Sequence, residues 1–421
     1  METKVRVMVL GLNYLPESTS IGPYTAGLAE HLARIGHDVE VLTGFPMAPQ
    51  WRVWDGYRGR WFLRERINGI KITRCYLFVP RDPRHALGRA AFDTSFFASA
   101  LIAGLAMRRC DVIIAVSPPL QVGLTAWVLG RMWRANVLLH VQDLVPDAAV
   151  ATGLMKENSL AVRLARRLEQ FVYRRATEIG VISEGFRRSM ERQGVPPEKI
   201  RLLPNSIDLD FIRPESKVNG FRQRHGLAAD AVVVMYSGSV GMKQGLETLM
   251  DAAALIRADS RILLVIVGEG PPLNELKARA SRDRLRNVLF LPLQPRETLS
   301  EQLAAADILV ITQRRAVTDI VFPGKLLYYM AAGRPIVAAV SEDSETGRFI
   351  RDHKVGVVTP PEEATPLAAA LMGMTADDAE VMGRLGRAVV ERLFDQRVVL
   401  PAFQAEIEHL CHGRGDAEDG A

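Results

Sequence analysis

Short apolar runs recur along this chain, each followed by a turn and then by a stretch whose apolar residues fall at helical spacing. Few architectures accommodate that alternation, because parallel strands need long crossover connections and helices supply them. In the first half the runs lie at 5–10, 38–43, 70–75, 111–116, 136–140 and 178–182. Between them, the amphipathic stretch 24–35 closes on Gly36 as a helix C-cap does. The pattern restarts after residue 205, with runs at 232–236, 262–267, 288–291, 308–312, 335–339 and 356–358. Two such series predict an α/β protein of two doubly wound, Rossmann-like domains facing across a cleft. The expected domains are 1–205 and 206–397, joined near Leu203-Pro204-Asn205-Ser206-Ile207-Asp208, with a helical segment at about 398–413 packing back onto the first. A length of 421 residues agrees, being two to three times the ~150 of a typical domain.

Composition then removes several function classes. Basic and acidic residues number 53 and 48, a near balance that argues against a nucleic-acid partner. Cys75, Cys110 and Cys411 are far apart, so neither a disulfide framework nor a zinc cluster is expected. No uncharged apolar run reaches the ~18 residues of a membrane span, and the first run leads into a glycine turn rather than a signal-peptide cleavage site. The expected location is the cytoplasm.

Ligands of open α/β sheets sit beyond the carboxyl ends of the strands, which singles out four loops. Gly11-Leu12-Asn13-Tyr14-Leu15-Pro16-Glu17-Ser18-Thr19-Ser20-Ile21-Gly22 joins a strand to a helix without the GxGxxG spacing of a dinucleotide site, and Gly22 lets a ligand approach the helix start. The run ending at His140 continues Val141-Gln142-Asp143-Leu144-Val145-Pro146-Asp147, placing His140, Asp143 and Asp147 at one strand end. A helix N-cap for Asp147 and a hydrogen-bonded interior imidazole for His140 are the plain structural alternatives. In the second half, Tyr236-Ser237-Gly238-Ser239-Val240-Gly241-Met242-Lys243-Gln244-Gly245 surrounds one lysine with glycines, which suits a phosphate. Val321-Phe322-Pro323-Gly324-Lys325 opens a helical pattern whose first N–H groups can accept an anion, with Lys325 assisting. Two further segments are open to either a surface or a core reading. They are the basic amphipathic stretch holding Arg163, Arg166, Arg167, Arg174 and Arg175, and the aromatic and basic segment 51–66.

Taken in order, these motifs resemble the GT-B glycosyltransferases of family 4, in the branch of bacterial exopolysaccharide and O-antigen enzymes. The resemblance runs from Asn13-Tyr14-Leu15-Pro16-Glu17 through Gly36-His37-Asp38-Val39, the 141–147 and 204–208 segments and Val267-Gly268-Glu269-Gly270-Pro271 to Ala331-Ala332-Gly333-Arg334-Pro335. It implies sugar transfer from a UDP- or GDP-sugar to a lipid-linked, polyprenyl diphosphate glycan, with retained anomeric configuration. No metal or other cofactor is implied. The donor would lie on the second domain, bound by Gly22, Gly238, Ser239, Gly241, Lys243, Gly324, Lys325 and Tyr328. Lys243 would also act in catalysis, with Asp143 and His140 orienting the acceptor, and Tyr14 and Asp147 would border the acceptor. Peripheral contact with an anionic membrane, on its inner face, would bring the enzyme to such an acceptor.

One departure stands out. The family's Glu-x7-Glu pattern falls here on Ile320 and Tyr328, so both carboxylates are absent, and Asp319 and Glu345 are the acidic residues nearest to replacing them. That absence keeps a catalytically silent partner of a polysaccharide assembly complex in view, and the shared fold keeps a nucleotide-sugar epimerase or a phosphorylase.

Overall fold

The computed structural model describes residues 4–17, 21–48, 50–80, 86–144, 150, 156–317 and 323–412. They fall into two compact units, one of Met1–Asn205 with Val399–Ala421 and one of Ser206–Val398.

The first unit is built on an eight-stranded sheet. Its strands are β1 (Arg6–Gly11), β2 (Asp38–Gly44), β3 (Phe62–Ile67), β4 (Ile70–Cys75), β5 (Val112–Ser117), β6 (Asn136–Val141), β7 (Glu178–Val181) and β8 (Ile200–Leu202), in the order β3-β4-β2-β1-β5-β6-β7-β8. Central strands such as β5, Val112-Ile113-Ile114-Ala115-Val116-Ser117, are apolar up to their last residue because helices cover both faces of a parallel sheet. Val7 and Val9 of β1 pack with Ala26, Ala29 and Leu32 of the helix Gly22–Arg34. Val399, Leu400, Phe403, Ile407 and Leu410, from the helix Gln396–His412, join the same core.

Two strands go beyond the sequence reading. β3 pairs antiparallel with β4 across a two-residue turn at Asn68 and Gly69, whose φ values of 51° and 83° belong to the hairpin turn that an Asn-Gly pair favours. Its residues alternate between exposed and half-buried, as an edge strand allows. The end of the 51–66 segment is therefore sheet, and two of its rings meet other rings: half-buried Trp51 lies 5.6 Å from Phe92, and exposed Trp61 lies 4.6 Å from Tyr76. β8 is only three residues long and extends the other edge.

The second unit carries a six-stranded, wholly parallel sheet in the order β11-β10-β9-β12-β13-β14. These are β9 (Val232–Ser237), β10 (Ile262–Val267), β11 (Val288–Leu291), β12 (Ile308–Thr312), β13 (Ile336–Ala339) and β14 (Gly356–Thr359). From β9 the chain winds outward through β10 and β11, then returns to the other side of β9 as β12. The loops leaving β9 and β12 thus flank the point where winding reverses, which is where such sheets open a crevice. In the first unit the equivalent strands are β1 and β5.

Candidate functional site

Both lysine-bearing segments of the second unit leave the two strands beside this reversal. After β9, the backbone takes a conformation at Gly238 (φ 134°) that L-residues avoid, and Gly238 and Val240 donate to the carbonyls of Val267 and Glu269 at 2.9 and 2.8 Å. The loop after β10 can lie this close only because it is glycine there. A Cβ on Gly268 would sit 1.9 Å from the Gly238 carbonyl oxygen, and one on Gly270 would sit 1.8 Å from that of Val240. Further on, the turn Met242–Gln244 is fixed by Arg314, just past β12. The Arg314 N–H donates to the Lys243 carbonyl at 3.0 Å and its Nε donates to that of Met242 at 2.8 Å. Lys243 is half-buried on this turn.

After β12, the helix Gly324–Ala331 begins behind Pro323 with no capping side chain, so its opening N–H groups lack that partner. Lys325 is in its first turn and reaches across to the end of β9. Its Nζ donates to the Tyr236 hydroxyl at 2.5 Å and lies 3.8 Å from the ring centroid. A Cβ on Gly238 would be 3.6 Å from that Nζ. Tyr236 in turn donates to the Ser239 carbonyl at 2.6 Å. Burial of the ammonium lowers the Lys325 pKa to about 7, although the residue as a whole is half-buried. One turn along, the Tyr329 hydroxyl accepts from the Ser237 N–H at 2.9 Å and donates to the Ser237 carbonyl at 3.1 Å.

The structure therefore brings Gly238, Ser239 and Lys325 together and holds Lys243 on the same strand edge. Gly241 and Gly324 are half-buried in these two loops, Ser239 is exposed, and Tyr328 is half-buried on the helix of Lys325. Asp319 and Ile320 lie outside the described residues. Glu345 is nearly buried in the first turn of the helix Glu345–His353, beyond β13. A cavity of about 540 Å³ beside the edge strand β14 contains none of these residues. The site is defined instead by strand order and by Lys325 in the first turn of a helix.

In the first unit two expectations are corrected. His140 is 4% exposed; its Nε2 donates to the Leu203 carbonyl at 2.9 Å and its Nδ1 accepts from Gln142 Nε2 at 3.2 Å. Gln142 and Asn205 exchange two amide hydrogen bonds of 2.7 Å, and Phe403 meets the imidazole edge-on at 5.0 Å. With both nitrogens engaged and burial pushing its pKa down to about 4, His140 is a neutral, structural imidazole rather than a catalytic one. Tyr14 is 1% exposed inside the core, which places it in packing rather than at an acceptor surface. Its motif is architectural too: buried Glu17 accepts from the N–H groups of Met47 and Ala48 at 2.7 Å each and from Asn13 at 2.8 Å. Gly22 opens the helix Gly22–Arg34, Asp143 is half-buried just past β6, and Asp147 lies outside the described residues.

Tyr236, Tyr329 and Arg314 were not singled out from the sequence. The available signal was position: Tyr236 is the penultimate residue of β9, and Arg314 follows β12 by two residues.

Comparison with known proteins agrees with this architecture. Residues 19–206 match the model of a glycosyl transferase 4-like domain, and residues 231–377 match that of glycosyl transferases group 1. Over 410 residues the chain is 30% identical to WcaI of Escherichia coli (strain K12), a protein named for glycosyl transfer in colanic acid biosynthesis, covering 96% of this chain and 100% of that one. Among solved structures, sucrose-phosphate synthase from Thermosynechococcus elongatus aligns with a TM-score of 0.76 at 20% identity, over 97% of this chain and 100% of that one. Anabaena HepE in complex with UDP-glucose aligns with a TM-score of 0.67 at 16% identity, over 99% and 100%. The chain belongs to the GT-B glycosyltransferases, its first unit of the glycosyl transferase 4-like type and its second of group 1.

Proposed function

We propose that the protein transfers a sugar from a nucleoside-diphosphate donor, UDP- or GDP-linked, to a lipid-linked glycan in exopolysaccharide or lipopolysaccharide synthesis. The observation that carries the donor reading is the meeting of Lys325 with Gly238 at the reversal point of the second sheet, beside an uncapped helix start. Support for the donor class comes from HepE, solved with UDP-glucose, and for the setting from WcaI, named for colanic acid biosynthesis.

Breaking the bond between sugar and diphosphate leaves negative charge on the departing phosphate. Lys243, Lys325 and the N–H groups of Gly324–Ala331 oppose that charge as it develops, which lowers the barrier without help from a metal. The acceptor hydroxyl attacks from the face the diphosphate leaves, its proton passes to the departing phosphate oxygen, and the anomeric configuration is retained. Asp143, half-buried beyond β6, orients that hydroxyl. The helix Leu160–Arg175 offers a lipid-facing surface, with Leu160 63% and Leu164 53% exposed beside exposed Arg163 and Arg167.

Incubation with UDP- and GDP-sugars and a polyprenyl diphosphate glycan tests the reaction. Acceptor-dependent release of nucleoside diphosphate, undiminished by EDTA, is expected, and NMR of the product reads the anomeric configuration. Donor turnover without any acceptor product would favour an epimerase. Cosedimentation with vesicles containing anionic lipid, but not with neutral ones, tests the membrane contact.

A further inference from the structure

Lys325 has its amine withdrawn from solvent, and its described neighbours include no carboxylate within ion-pair distance. The Tyr236 hydroxyl already donates to the Ser239 carbonyl, so toward Lys325 it can only accept. A neutral amine satisfies that acceptor without the cost of burying a charge. Among the described residues, the other groups around it supply no counter-charge. Tyr329, on the same helix, is committed to Ser237, and Thr312 and Gln313 at the end of β12 are uncharged. Arg314 pairs with Glu247 at 3.1 Å, and Lys243 and Glu269 are the remaining charged residues of the loops after β9 and β10.

We propose that Tyr236 is a resting place for Lys325, and that the donor's diphosphate draws the lysine off the tyrosine as an ammonium, so that donor binding takes up one proton from solvent. This rests on the donor reading above and assigns Tyr236 a positioning role. The proton comes from bulk buffer and adds to the amine lone pair; no bond to phosphorus changes. Nothing about Lys325 as an anion ligand requires such coupling, since an ammonium already charged in the free enzyme would bind with no proton exchange. Burial of the group is what makes the free amine competitive near neutral pH.

Titration calorimetry of the full chain against a panel of UDP- and GDP-sugars, repeated in buffers of different ionisation heat, reads the proton count directly. Burial lowers the Lys325 pKa to about 7, so proton uptake on donor binding is expected to be larger at pH 8 than at pH 6. Lys325→Arg keeps a cation that does not titrate, so any binding it retains is expected to be proton-neutral. Tyr236→Phe removes the resting contact together with the hydroxyl's bond to the Ser239 carbonyl, and donor affinity at pH 8 is expected to rise by roughly two- to tenfold, the worth of one neutral hydrogen bond. Binding by the unaltered chain with no proton uptake at pH 8 overturns the proposal, as does uptake that persists in Lys325→Arg. An equal or weaker affinity in a folded Tyr236→Phe variant overturns the resting place. A panel in which nothing binds overturns the donor reading itself, and is a distinct result.

Discussion

His140 in the first unit and Lys325 in the second are both titratable side chains withdrawn from solvent near the carboxyl ends of strands, and their surroundings differ in kind. His140 has both ring nitrogens filled by the protein, through Leu203 and Gln142, and an aromatic ring against its edge. Lys325 has one hydroxyl and the face of a ring, and no charge to answer its own among the described residues. A buried polar group whose capacity is met internally is architecture, whereas a buried charge without a counter-charge is a place prepared for one. Burial near the strand ends thus goes with a structural role at His140 and, in the reading proposed above, with anion binding at Lys325.

Substitutions should separate these two cases by sign. The largest effect is expected for Lys325→Met, which should lower turnover by about 10²–10³-fold through loss of charge stabilisation at the leaving phosphate. The donor-free variant should melt at a higher temperature than the parent, because the cost of desolvating the lysine, as ammonium or as deprotonated amine, is removed. The pH dependence follows. The folded-state pKa of about 7 is below the ordinary lysine value of 10.5, so the unfolded chain binds more protons between them, and parental stability rises as pH climbs through that window. The thermal advantage of Lys325→Met should accordingly shrink from pH 7 toward pH 10. Lys243→Ala should match it in lost turnover, and near-parental nucleoside diphosphate release by either variant would break the comparison.

His140→Ala should act in the opposite way. It leaves a cavity and strands the Leu203 carbonyl, so urea denaturation should show a loss of about 2–4 kcal/mol. Turnover of the folded fraction should stay within about tenfold of the parent, a small change for a residue beside the chemistry. Intact stability with abolished turnover would return His140 to catalysis. Tyr329→Phe strips the Ser237 N–H and carbonyl of their shared partner and should cost about 1–3 kcal/mol, with a raised donor KM.

The smallest effect concerns the first unit's returning helix. Burial and the neighbouring Glu406 raise the Glu178 pKa from 4.5 to about 7, with Arg201 bound to both carboxylates at 2.8 and 3.2 Å. An acid whose folded pKa is raised makes the folded state bind more protons than the unfolded one, so stability falls as pH rises from 4.5 through 7. Glu406→Gln should flatten that decline in thermal melts. An unchanged slope would show that the two carboxyls do not interact.

Much of this was legible before any coordinates. The central strands announced themselves as continuous apolar runs, since both faces of a parallel sheet are covered. The edge strand β3 did not, because Phe62-Leu63-Arg64-Glu65-Arg66-Ile67 mixes charge into one half-exposed face, yet the Asn68-Gly69 pair after it was a usable hairpin signal. At the site, the glycines and lysines of the two loops stood out because phosphate-suited loops are local patterns. The failures at His140 and Tyr14 share a cause: residue type and strand-end position resemble function, while burial and completed hydrogen bonding belong to partners elsewhere in the chain.

Local pattern was enough for the alternation of strand and helix, its restart after residue 205 and the two basic loops, because each is written within a few consecutive residues. Folding alone decided that His140 would be closed off by a carbonyl 63 positions away, and that Lys325 would be seated on a tyrosine 89 positions earlier. The physical reason is that desolvation and hydrogen-bond completion depend on which distant segments the sheet order places side by side, and no local spacing encodes that order.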